Sequence, residues 1–267
     1  KEQLPMPSSE PEISGMILSI LKKNGIKFFP DKADIEPLIY EQTVKAIKLD
    51  GRFVDTDLVL IAAGFYSENY LAVQAKLEIG KSGGLKVDKL LKTSDSSIYA
   101  AGDCIEVLNA VNGKPDYIPL AVPAYNYGHI AGENAAGGNV HVEPVVKNIS
   151  VRIFDKYFAE VGLTSIDAQK SGLNFKSVEA ATSNLVKVMP GSEEVYGKIL
   201  FEKNNRRIIG ASFLGGKEIS GYTDIISGLI HLKQPIDELR KINFNYTPTL
   251  SPFINLLSLL GKKAGSL

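Results

Sequence analysis

Along roughly the first 144 residues, apolar positions switch between helical spacing and short continuous runs; beyond them, short strand-like segments follow one another and the helical patterns come late. Ile13, Met16, Ile17, Ile20 and Leu21 recur at helical spacing behind Ser9-Glu10-Pro11-Glu12, which reads as a capping box, and ahead of Gly25, so a helix is predicted there. Residues 26–29 read as a short strand. Residues 44–49 and 52–63 flank Asp50-Gly51, a strong hairpin signal, and the run from Asp57 to Gly64 reads as a buried strand reaching a glycine. A short apolar strand over 97–101 stops at Gly102-Asp103, and a helix rich in small residues is expected over 120–136. The later part predicts strands at 149–154, 175–188, 197–202 and 207–214, with turns at Gly191 and Asn204-Asn205, then helices at 217–232 and 236–241. Strands followed by helices indicate an α+β unit with an antiparallel sheet.

Composition narrows this only a little. The chain has 267 residues, 44% hydrophobic and 22% charged, enough for one large domain or two ordinary ones. Lys plus Arg and Asp plus Glu are each 30, so the balance of charge gives no reason to expect a nucleic-acid partner or an anionic membrane surface. No apolar run is long enough to span a bilayer, and the single cysteine excludes an internal disulfide framework, which fits a cytoplasmic location. The three histidines have no metal-ligand spacing, so no metal site is expected.

The candidate chemistry lies around Gly102-Asp103. A strand ending in glycine lets a ligand approach the backbone, and an ionised Asp there accepts hydrogen bonds, which suits a polyol. The following helix opens with Ile118-Pro119-Leu120-Ala121-Val122-Pro123, so its first turn carries free N–H groups and partial positive charge, which suits an anion. A reduced flavin with its ribityl chain asks for both.

These residues also carry a resemblance. Ile98-Tyr99-Ala100-Ala101-Gly102-Asp103, preceded by Thr93-Ser94 and followed by Pro119-Leu120-Ala121, Ala124, Gly128, Ala131 and Gly137, resembles the second FAD-binding segment of the pyridine nucleotide-disulfide oxidoreductases, in the branch of coenzyme A-disulfide reductase, NADH oxidase and NADH peroxidase. The resemblance implies an α/β fold: the back half of an NAD(P)-binding domain over 1–63, the second FAD-binding segment over 64–144, and an α+β antiparallel-sheet dimerisation domain over 145–267. It implies FAD and NAD(P)H as cofactors, with Gly102, Asp103, Pro119, Leu120, Ala121 and Val122 against FAD and Ala63-Gly64 as the return to the FAD domain. Tyr246, in Phe244-Asn245-Tyr246-Thr247-Pro248, is similar to the tyrosine by which one subunit of a homodimer reaches the other's flavin; Tyr246 and Tyr125 are the candidate substrate contacts. Ile254 and the segment Gly64-Phe65-Tyr66-Ser67-Glu68-Asn69 depart from the family's pattern.

The resemblance also predicts two GxGxxG turns, and neither is in this sequence. The segment 210–217, GASFLGGK, looks like a phosphate loop, but Glu218 stands where Ser or Thr should follow, and it reads as a strand and turn. Only the carboxy-terminal portion of the family's architecture is therefore expected here, inactive by itself, with the reactive cysteine in an absent amino-terminal segment and no catalytic residue among these. Cys104 reads as a small packed hydrophobe, and Glu193-Glu194 as a solvated turn. The implied function is transfer of electrons from NAD(P)H through FAD to a disulfide, polysulfide, peroxide or oxygen; the alternative is a non-catalytic dimerisation and cofactor-half module. The apolar positions Ile219, Tyr222, Ile225, Ile226, Leu229 and Ile230, with a second apolar segment over 250–260, are the surfaces expected to pair in a homodimer.

Overall fold

A computed structural model describes residues 4–30 and 35–266. The first helix, α1 (Pro11–Lys23), has Pro at its start, Glu10 as its N-cap in extended conformation and no side-chain capping bond. The expected capping box is thus absent: Glu12 turns to Lys198 instead, 3.0 Å away. No strand forms over 26–29.

The hairpin signal at Asp50-Gly51 is realised. Both residues take positive φ, 47° and 78°, the geometry of a tight antiparallel turn. They join β2 (Thr43–Leu49) to β3 (Arg52–Asp55), and β1 (Ile35–Tyr40) pairs on the other side of β2. The strand expected from Asp57 to Gly64 is absent, and its side chains are exposed, Leu60 by 85% and Ile61 by 84%. A strand is held by ladder hydrogen bonds to a neighbouring strand, and no described residue supplies them here. A short helix, α2 (Tyr70–Gln74), follows. The predicted strand over 97–101 reduces to one bridge, Tyr99 with Lys92. Two-residue strands β4 (Val107–Leu108) and β5 (Pro115–Asp116) precede α3 (Ala121–Ala135), which matches the predicted helix within a residue.

The later part is a five-stranded antiparallel sheet built from β6 (Asn148–Ile153), β7 (Lys156–Gly162), β8 (Phe175–Ser183), β9 (Glu194–Glu202) and β10 (Ile208–Gly215), in the order β6-β7-β10-β9-β8. The 210–217 segment ends β10 and turns, as its sequence indicates. Helix α4 (Ser165–Lys170) begins at a capping box of Thr164 and Asp167. Helices α5 (Ile219–His231) and α6 (Leu256–Ala264), with a 3₁₀ turn over Ile236–Arg240 between them, cover one sheet face. There Val161, Ile199, Phe201, Ala211 and Phe213 close a core with Ile219, Ile226, Leu256, Leu257 and Leu260. Each large apolar side chain so enclosed contributes about 1.5–3 kcal/mol relative to exposure. On the other face, strand alternation turns Phe158, Tyr196 and Leu214 towards Ile13 and Ile17 of α1.

Candidate functional site

The turn at Gly102-Asp103 is set by glycine's conformational freedom. Gly102 has φ +86°, and a Cβ there would touch only the Ala124 methyl, at 3.7 Å. The turn closes by the Ile105 N–H donating to the Gly102 carbonyl at 3.2 Å. It is fixed from outside by the Cys104 carbonyl, which accepts from the Leu85 N–H at 2.7 Å and from Ser67 Oγ at 3.1 Å. Beneath it Leu85, Leu91, Ile105, Val107, Ile118, Tyr127 and Val145 form a separate apolar cluster. Asp103 itself is exposed, and its carboxylate makes no hydrogen bond or ion pair with another described residue. Cys104 is half-buried; burial pushes its thiol up, with Asp103 adding a smaller push the same way, and Sγ lies 3.3 Å from the Ala101 carbonyl. A thiol held protonated is a poor nucleophile, which agrees with a packing role.

Helix α3 is anchored at its far end. Asn134, buried, donates to the Leu90 and Val140 carbonyls at 3.0 and 2.8 Å and accepts from the Val140 N–H at 2.8 Å. The Tyr99 hydroxyl donates to the Asn134 carbonyl. Its near end is open: Leu120 is extended, no side chain caps it, and the N–H groups of Ala121 and Val122 have no backbone partner among the described residues. Tyr125, on the outer face, is exposed with its ring edge-on to His129 at 4.6 Å.

Three clefts run end to end between these features. The first, about 470 Å³, holds Asp103 and Cys104 with Phe65, Tyr66, Glu68, Tyr117 and Pro119. The second, about 690 Å³, shares Phe65, Tyr117 and Pro119 with it and reaches Leu120. The third, about 1130 Å³, shares Leu120 and Ile149 with the second and is lined by Ala121 and Val122. Gly102 lines none of the three clefts and sits in the turn that presents Asp103, while Asp103, Pro119, Leu120, Ala121 and Val122 are brought to one continuous trough. Ala63 and Gly64 lie just before its wall and line none of the three clefts.

Phe65, Tyr66 and Tyr117 escaped notice as site residues. Phe65 packs on Tyr117 with ring centroids 6.3 Å apart, a meeting of residues distant in sequence whose only local signal was the Phe65-Tyr66 pair after Gly64. Tyr246 stands apart. It is about half exposed, edge-on to Phe253 at 5.3 Å, and lines none of the three clefts. Its loop is clamped by Ser251, whose Oγ accepts from the Thr247 N–H at 3.0 Å and donates to Asn245 Oδ1 at 2.7 Å. Among the described residues no group of three His, Cys, Asp or Glu could hold a metal ion, and no helix is long and apolar enough to cross a membrane.

The chain is 29% identical over 255 residues to an NADH oxidase of Methanocaldococcus jannaschii, covering 96% of this chain and 56% of that protein. It is 26% identical over 219 residues to a CoA-dependent NAD(P)H sulfur oxidoreductase of Pyrococcus abyssi, covering 82% and 49%. It superposes on a NAD-dependent persulfide reductase from A. fulgidus with a TM-score of 0.90 and 28% identity, over 97% of this chain and 48% of that one. The chain thus spans about half the length of the curated relatives it matches. Residues 2–128 match the family described as pyridine nucleotide-disulphide oxidoreductase, and residues 150–256 match the dimerisation domain of the same family. With both matches in chain order on a fold shared with a persulfide reductase, the chain belongs to the pyridine nucleotide-disulphide oxidoreductase family.

Proposed function

We propose that this chain is the flavin-supporting and dimer-forming portion of an FAD-dependent NAD(P)H oxidoreductase whose electrons pass to a disulfide, polysulfide, peroxide or oxygen. The observation that carries this reading is the trough joining an acceptor-only carboxylate, Asp103, to the uncapped start of α3. The residues present fit the cofactor. Asp103, which makes no hydrogen bond or ion pair among the described residues, would accept hydrogen bonds from the polyol, while the N–H groups of Ala121 and Val122 would stabilise negative charge. Phe65, Tyr117 and Pro119 would exclude water from the passage between them. FAD bound here would supply two-electron transfer between nicotinamide and acceptor.

The same reading assigns residues 1–63 to the nicotinamide-binding part, 64–144 to the flavin segment and 145–267 to the dimer core. The match of residues 150–256, which hold most of the sheet and all of α5, to a dimerisation domain supports the last. In the dimer, Tyr246 would be carried to the partner's trough; that Tyr246 lines none of the three clefts of its own trough favours this arrangement over an intrasubunit one. Tyr125 would stand at the rim as a further substrate contact.

The test is Asp103→Ala in the intact protein. Removing a hydrogen-bonding acceptor should weaken flavin binding by about 1–3 kcal/mol, a fall of roughly 5- to 150-fold in affinity. Flavin absorbance per protein unchanged after dilution and gel filtration would sink the assignment.

A further inference from the structure

Helix α1 meets the dimerisation sheet through charge as much as through apolar area. Of its 13 residues only Ile13, Ser14 and Ile17 are buried, yet Glu10, its N-cap, is wholly enclosed. Glu10 Oε2 lies 2.7 Å from Lys198 Nζ on β9, and the same carboxylate accepts from the Ser165 N–H at 2.6 Å and from Ser165 Oγ at 2.8 Å. Glu12, one residue into the helix, meets the same ammonium at 3.0 Å through both oxygens. The Lys198 side chain is 9% exposed. Burial alone would lower its pKa; hydrogen bonds and charge from the two carboxylates outweigh burial and hold it above the ordinary lysine value. A second buried charge lies on the same sheet face: Glu160, with Lys147 at 3.3 Å and the Ser212 hydroxyl donating to it at 3.3 Å.

A buried ion cluster adds less net stability than a good apolar seal, but it tolerates one register. Displacing α1 by an ångström would strand the Lys198 ammonium and the Glu10 carboxylate in a poorly polarisable site, an outcome costlier than complete release into water. The helix is therefore either seated or free. Ile13 and Ile17 alone would allow sliding, as apolar contacts are non-directional.

We infer that Glu10, Glu12 and Lys198 form an ionic latch that fixes α1 in one position on the dimerisation sheet. These are positioning residues. In an enzyme of the kind proposed above, they would hold the nicotinamide-binding part at a set place relative to the dimer core; this functional half rests on that reading, whereas the latch itself does not.

Hydrogen exchange on the intact protein tests the latch. Lys198→Met should speed exchange of the α1 amides on the order of 100-fold, leaving β7 and β10 as protected as in the parent. No change in α1, or equal loss of protection across the sheet, would overturn it, the second because it would show a general structural role. Should Lys198→Met fail to fold, Glu12→Gln serves, since that side chain is 44% exposed; it should raise α1 exchange selectively by a few-fold, and its failure to do so counts against the latch equally. For the functional half, the KM for NAD(P)H should rise several-fold with kcat nearly constant. Released α1 with an unchanged KM would refute positioning while leaving the flavin assignment standing, because that depends on Asp103→Ala.

Discussion

Replacing Gly102 by alanine separates two ways in which a glycine can serve a site. The added Cβ would meet nothing closer than the Ala124 methyl at 3.7 Å, an ordinary contact, so space is available. The backbone is the obstacle: at φ +86° an L side chain is strained by about 1–2 kcal/mol. For a chain of this size that should lower Tm by about 2–8 °C. Gly25→Ala is the matched control, with φ +78° and nothing within 4 Å of the new Cβ, in the turn after α1 and away from the trough. Both variants should lose similar thermal stability. Only Gly102→Ala should also lose flavin, because relaxing its strain rotates the peptide that presents Asp103. Thermal melts and flavin-to-protein ratios measured on the same samples decide the matter. A Gly102→Ala protein with parental Tm, or a Gly25→Ala protein that sheds flavin equally, would refute the reasoning.

Two further outcomes follow from buried titratable groups. Cys104→Ser should keep NAD(P)H oxidation by the intact enzyme within a few-fold, since the thiol is held protonated by burial and only a polar atom in a tight place changes; complete loss of turnover with flavin still bound would show that the thiol takes part in the reaction. Glu160 is raised by burial, which Lys147 and the Ser9 and Ser212 hydroxyls offset only partly. A carboxyl whose folded pKa exceeds its unfolded one contributes stability that is full below the unfolded value and lost as pH rises through the folded one. Glu160→Gln should therefore gain on the parent in melts run from about pH 4.5 upward, and a variant that instead falls behind as pH rises contradicts the sign.

The parts of the fold that were legible in the sequence are those whose determinants are local. Asp50-Gly51 needs only two residues in left-handed geometry, and α3 and α5 declare themselves through spacing within a single element. Where a partner decides, the pattern misled. Asp57 to Gly64 reads as a buried strand because it is continuously apolar, but a strand exists only as part of a ladder, and Leu60 and Ile61 stand in solvent. Strand β7 was hidden by Glu160, a charge at a position that looks wrong for a core until Lys147 is seen beside it. Glu12 looked like half of a capping box because its actual partner, Lys198, is far along the chain. The site divides in the same way. Asp103 and the start of α3 were evident because chemistry and chain order coincide there, whereas Tyr117 joins Phe65 only through the folded trough.

The seat of α1 has a consequence for the order in which the molecule can be made. Glu12 and its lysine are 186 residues apart, and Glu10 and Ser165 are 155 apart. At translation speeds of about 5–20 residues per second, the helix would leave the ribosome on the order of ten to forty seconds before the lysine that anchors it. A helix of 13 residues is marginal in water by itself, so during that interval its apolar stripe of Ile13, Ile17 and Ile20 lacks the sheet residues Phe158, Tyr196 and Leu214 on which it comes to rest. Helix α1 is thus among the last of the described elements to find its seat on the sheet, and the waiting nascent segment is where a chaperone would be most useful.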